Sequence, residues 1–71
     1  MRHNIIWAKP RGEGDNHRNH RGFIILCELP ENQATPYVTW ETNTVTDNGY
    51  RERGNYHFSY EEAKRDFLER K

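Results

Sequence analysis

The chain has 71 residues, 32% of them hydrophobic, and its 11 basic and 11 acidic side chains give a formal net charge of zero. That length holds a single domain, 1–71, with one small core, and the charge balance excludes a general electrostatic grip on nucleic acid. Cys27 is the only cysteine, which excludes an internal disulfide, and the longest apolar run, Phe23 to Cys27, is far too short to span a membrane.

A reducing, cytoplasmic setting is the expectation, since the N-terminus also lacks the long apolar stretch of a signal peptide. With so few apolar residues, aromatic side chains must carry much of the burial. Stability is then modest or dimer-assisted, and the chain is expected as a monomer or weak homodimer.

In chain order, Ile5-Ile6-Trp7 marks a first strand near 3–8, ended by Lys9-Pro10. Residues 9–22 (KPRGEGDNHRNHRG) contain no apolar side chain and read as a flexible polar loop. The loop carries Arg11, Arg18 and Arg21 against two acidic residues, a mild positive bias suited to partner contact. Phe23 to Leu29 is the strongest strand signal. A continuous apolar run predicts a central strand near 22–29, covered on both faces, with Cys27 as a buried small hydrophobe. A loop bounded by Pro30 and Pro36 follows.

Tyr37-Val38-Thr39-Trp40-Glu41-Thr42 alternates in polarity, and so does the stretch from Tyr50 to Phe58. Strands near 36–45 and 50–58 are predicted to form a hairpin. A two-residue Asn48-Gly49 turn would pair Trp40 with His57 and split the apolar set. A three-residue loop Asp47-Asn48-Gly49, with Gly49 left-handed, pairs Trp40 with Tyr56 and Val38 with Phe58 and is preferred; a longer, looser tip is its rival. Gly54 leaves room for a neighbouring ring. Ser59-Tyr60-Glu61-Glu62 is a capping box opening a helix near 60–70. Tyr60, Ala63, Phe67 and Leu68 form its apolar stripe, with Lys64 at the edge. The helix is expected to cover the Val38/Trp40/Tyr56/Phe58 face. The fold predicted is α+β: an antiparallel sheet of about four strands with one C-terminal helix on one face.

This register leaves Tyr37, Thr39 and Glu41 beside Arg51, Arg53, Asn55 and His57 on a free face, with an ion pair between Glu41 and Arg53. Tyr37, Arg51, Arg53 and His57 are the candidate binding residues there, joined by Arg11, Arg18 and Arg21 of the loop.

Catalytic, metal and cofactor signals are weak, and none is expected. His17-x-x-His20 lacks the clustered cysteines of a structural zinc site. His17-Arg18-Asn19-His20 resembles a His-Asn-His nuclease motif, but it is packed into one polar loop. Glu52, His57 and either Arg51 or Arg53 could serve a metal-independent ribonuclease, although Glu52 is expected on the opposite face from the others. Arg11-Gly12-Glu13-Gly14 lacks the strand and helix that a phosphate loop needs. The aromatic residues could stack on single-stranded nucleic acid, but the helix is expected to cover them.

The motifs Pro36-Tyr37-Val38-Thr39-Trp40, Gly54-Asn55-Tyr56-His57-Phe58 and Glu61-Glu62-Ala63 with Asp66-Phe67 resemble a group of small uncharacterised bacterial and phage proteins. The resemblance covers the second half of the chain. It departs at Asn55-Tyr56-His57, where that group more often places the histidine before the aromatic. It implies a short protein that works by binding a host protein, as a modulator or inhibitor. A protein partner is therefore the first expectation, a nucleic acid the second, and a small ribonuclease the third.

Overall fold

The computed structural model describes residues 2–11, 22–46 and 49–70. They form β1 (Asn4–Pro10), β2 (Phe23–Glu28), β3 (Tyr37–Thr42), β4 (Arg51–His57) and α1 (Tyr60–Glu69). The strands make one antiparallel sheet in the order β1-β2-β3-β4, and α1 packs on one face of it. This is the α+β architecture that the sequence predicts.

β2 is central. Ile24 to Cys27 have no exposed surface at all, because the strand is apolar on both faces and both are covered. Ile24 and Leu26 face α1 and pack with Ala63 and Phe67. Ile25 and Cys27 face the other way and pack with Leu29 and Val38, flanked by Ile5, Phe23 and Trp40. The small core is therefore split by the sheet into two layers.

β1 extends two residues past its expected end, through Lys9 and Pro10. It pairs only with β2, and an edge strand tolerates proline because half its N–H groups have no ladder partner. A bulge at Ile6 shifts the register between Ile5 and Trp7. It turns Trp7 onto the helix face, where its ring lies 5.7 Å from Phe67 and 6.4 Å from Tyr60. Lys9 follows on that face, over the Phe67 ring and donating to the Leu68 carbonyl at 3.2 Å. Lys9 and Pro10 thus belong to the sheet and not to the polar loop.

The hairpin departs most from expectation. β3 ends at Thr42 and β4 begins at Arg51, so the connection is long, not a three-residue turn. Asp47 and Asn48 lie outside the described residues. Among those described, only Arg53 and Gly22 have positive φ, so Gly49 is not left-handed. Side chains shape the connection instead. Asn43 Oδ1 accepts from the Tyr50 amide at 2.8 Å, and Thr42 Oγ1 donates to the Thr44 carbonyl at 2.9 Å. Arg51 donates to Thr42 Oγ1 and to the Thr46 carbonyl, each at 2.6 Å.

A second bulge lies in β4. Val38 pairs with Tyr56 and Thr39 with Asn55, but Glu41 pairs with Glu52 and Thr42 with Arg51. The slack is taken up at Arg53, whose φ of 55° is left-handed. Gly54 beside it is required by a close approach: a Cβ there would stand 2.5 Å from Trp40 Nε1. The room for a neighbouring ring is used as the sequence suggests.

α1 begins as predicted. Ser59 has extended backbone, and its hydroxyl accepts the Glu62 amide at 3.2 Å. The Glu62 side chain makes no return bond and stays exposed, so only half the capping box forms. Tyr60, Ala63 and Phe67 face the sheet, but Leu68 is 59% exposed and off the stripe. Ser59→Ala should lower stability by about 1 kcal/mol in denaturant titration; an unchanged midpoint would show that the hydroxyl does not cap.

Candidate binding surface

The helix covers the opposite face of the hairpin from the one predicted. Tyr37, Thr39 and Glu41 lie under α1, and Val38 and Trp40 lie on the far side. Side-chain chemistry explains the choice. Thr39 is fully buried, and its hydroxyl donates to Asp66 Oδ2 at 2.6 Å. Asn55 Nδ2 reaches the same oxygen at 3.1 Å, and His57 Nε2 stands 3.0 Å from it. With Asp66 ionised, His57 donates through a protonated Nε2. Burial pushes the Asp66 carboxyl up, but the hydrogen bonds from Thr39, His57 and Asn55, with the Arg70 charge, outweigh it and hold the group below its ordinary 3.8.

Arg70 completes the seam. It donates to Thr39 Oγ1 at 2.8 Å and to the Arg53 carbonyl at 2.9 Å. Its other partner is Glu41, 3.5 Å away. Glu41 sits directly opposite Glu52, an unfavourable like-charge pair. Arg11, Arg53 and Arg70, each 3.5 Å from Glu41, offset it. Tyr50 donates its hydroxyl to Glu52 at 2.8 Å, and this bond, then the Glu52 charge, raises the phenol pKa. A recess of about 180 Å³ runs between these groups, lined by Arg11, Glu41 and Tyr50 among others. Arg11 and Glu41 pair across it, while the buried Arg11 Nε has no hydrogen-bond partner among the described residues.

The predicted site residues are therefore separated. Tyr37 is half-buried against Tyr60, ring centroids 5.6 Å apart. His57 is committed to Asp66, and Arg11 to Glu41. Arg53 remains exposed and makes the expected ion pair with Glu41. Arg18 and Arg21 lie outside the described residues. The bulge turns Arg51 to the far face, with its guanidinium 5.9 Å from the centre of the Trp40 ring. It also leaves Glu52 on the His57 side, so Arg51 and His57 no longer share a face. Among the described residues, no three His, Cys, Asp or Glu side chains could jointly hold a metal ion. His17 and His20 lie outside them.

The face turned away from α1 carries Trp40 and Tyr56, whereas Trp7, Tyr37, Tyr60 and Phe67 pack on the helix side. The Trp40 ring is met edge-on by His3 at 5.5 Å and by Tyr56 at 6.2 Å. Arg51 Nη2 lies 3.1 Å from His3 Nε2, so the imidazole accepts and the two side chains support Trp40 together. Tyr56 is 48% exposed, and Phe58, just past the strand, is 71% exposed. This surface was missed because apolar alternation alone assigned it to the helix. Asp66 and Arg70, on one flank of the apolar stripe, were the available clue that α1 has a polar target.

Asp66→Ala should cost about 2–3 kcal/mol, since it strands the Thr39 hydroxyl and the His57 N–H. The folded pKa is lowered, so the contribution of Asp66 is complete above 3.8 and is lost as pH falls through the lower folded value. Acid melts of wild type should show this loss, and Asp66→Asn should flatten it; identical acid profiles would remove Asp66 from that role.

Among the described residues, no helix is long and apolar enough to cross a membrane. Compared with known proteins, the chain matches no family model, no curated protein and no solved structure.

Proposed function

We propose that the chain is a small non-enzymatic protein-binding module, and that its contact surface is the sheet face turned away from α1. The observation that carries this reading is the exposed aromatic strip on that face. Tyr56, half-exposed, lies there against the Trp40–His3–Arg51 group, and the exposed Phe58 follows just past the end of β4. Tyrosine, tryptophan and arginine on a preorganised support are the usual anchors of a protein interface. Of the ribonuclease candidates, the bulge brings Glu52 to the His57 side, but His57 is held by Asp66 and Glu52 accepts from the Tyr50 hydroxyl, which favours a binding module. The resemblance to small bacterial and phage proteins supports a host protein as the partner, which the chain would modulate or inhibit.

One observation favours a second reading. Arg51 over Trp40, beside Tyr56, is an arrangement on which nucleobases stack. Against it, Arg51 is spent on Thr42, Thr46 and His3, and the chain carries no net positive charge.

The test is affinity capture from a nuclease-treated bacterial lysate, with wild type and Tyr56→Ser compared after both are shown to be folded. A defined protein should be retained by wild type and bound at least about tenfold more weakly by the variant. Equal capture by both would refute this surface. Capture abolished by nuclease, with salt-dependent binding to a single-stranded oligonucleotide, would establish the second reading instead.

A further inference from the structure

The two edges of the sheet are not equivalent. β1 is spoiled for pairing along its length by the bulge at Ile6, by Pro10 and by Lys9, which is tied to α1. β4 has its bulge at Arg53, and beyond it Gly54 to His57 run on with only one neighbour, β3, with Phe58 just past the strand end.

We propose that this free segment of β4 pairs antiparallel with the same segment of a second copy, across a two-fold axis at Tyr56. The argument is self-complementarity. In this register Tyr56 lies opposite Tyr56 of the second copy, and Asn55 opposite its His57. Gly54 lies opposite its Phe58, and because the Trp40 indole already fills the space over Gly54, each exposed phenyl ring meets the edge of that indole. Arg53, with 70% of its side chain exposed, comes opposite Ser59. It therefore meets the first turn of the second copy's helix, which carries Glu61 and Glu62. Cation meets anions at both ends of the pairing. The bulge ends the ladder just where the charges take over.

The area sets the strength. From their exposure, Tyr56 and Phe58 of two copies have at most roughly 500 Å² to cover besides the strand backbone, and side by side on one sheet face they cover only part of it. That is below the roughly 1,000 Å² of a stable specific interface, so the pairing is weak and depends on concentration. The product is a continuous sheet of eight strands with both helices on one side. Its other side joins the two aromatic faces into one broader platform, whatever that platform binds.

The test is sedimentation velocity on the purified chain from micromolar to millimolar concentration, with site-specific cross-linking. Wild type should pass reversibly from monomer to dimer. Phe58→Lys, at an exposed site, should keep the circular dichroism spectrum and weaken the dimer at least about tenfold. Tyr56→Cys, placed on the axis, should form a disulfide-linked dimer on mild oxidation, whereas Asn55→Cys, which faces a histidine, should not. A monomer at every concentration would overturn the proposal. So would a dimer in which Asn55→Cys cross-links and Tyr56→Cys does not, or one unaffected by Phe58→Lys. Protection of the Gly54 to Phe58 amides only by a different protein would assign the edge to that protein.

Discussion

The carboxylate of Asp66 is the constraint on which the rest of the arrangement depends. One oxygen collects Thr39, Asn55 and His57, drawn from two neighbouring strands. A helix laid on a sheet by apolar contacts alone could slide or settle on either face. Three donors converging on a single charged acceptor fix its face, position and rotation. Arg70, one turn further on, repeats the device with Thr39, Glu41 and the Arg53 carbonyl. Apolar packing of Ala63 and Phe67 on Ile24 and Leu26 supplies the burial, and the polar seam supplies the alignment.

Much follows from α1 lying on that side. A chain this poor in apolar residues cannot cover both sheet faces with helix. The second layer around Ile25, Cys27 and Val38 is sheltered in part by Trp40, Phe23 and Ile5. Trp40 is in turn held by His3, Tyr56 and Arg51. The aromatic residues therefore serve twice, as cover for a thin core and as outward-facing surface. Arg51, a binding candidate by sequence, holds the long hairpin connection and braces Trp40.

The architecture was legible where local signals agree. Phe23 to Leu29 could only be central, since no other strand has five consecutive apolar residues. Ser59 marked the helix start, and Gly54 marked a crowded ring. The helix face was not legible, because Tyr37 to Thr42 is amphipathic in the ordinary sense and alternation favours burying Val38 and Trp40. Both are indeed buried or half-buried, but with Ile25 and Cys27. That Thr39 and Glu41 could lie under a helix depends on Asp66 and Arg70, which are 27 and 29 residues away from them respectively. Periodicity carries no information about such partners. The bulge at Arg53 reverses the faces of the residues before it relative to those after it, so Arg51 lies on the opposite side from His57.

The central claim is that Thr39 and Asp66 are energetically coupled across the seam, and a double-mutant cycle measures it most directly. Thr39→Val keeps the shape of a fully buried side chain while removing its hydroxyl, and Asp66→Asn removes the charge. Combined with wild type and the double variant in equilibrium denaturation, they should yield a coupling of about 1–3 kcal/mol. Simple additivity, within about 0.3 kcal/mol, would contradict the account and leave apolar packing as the force that places the helix.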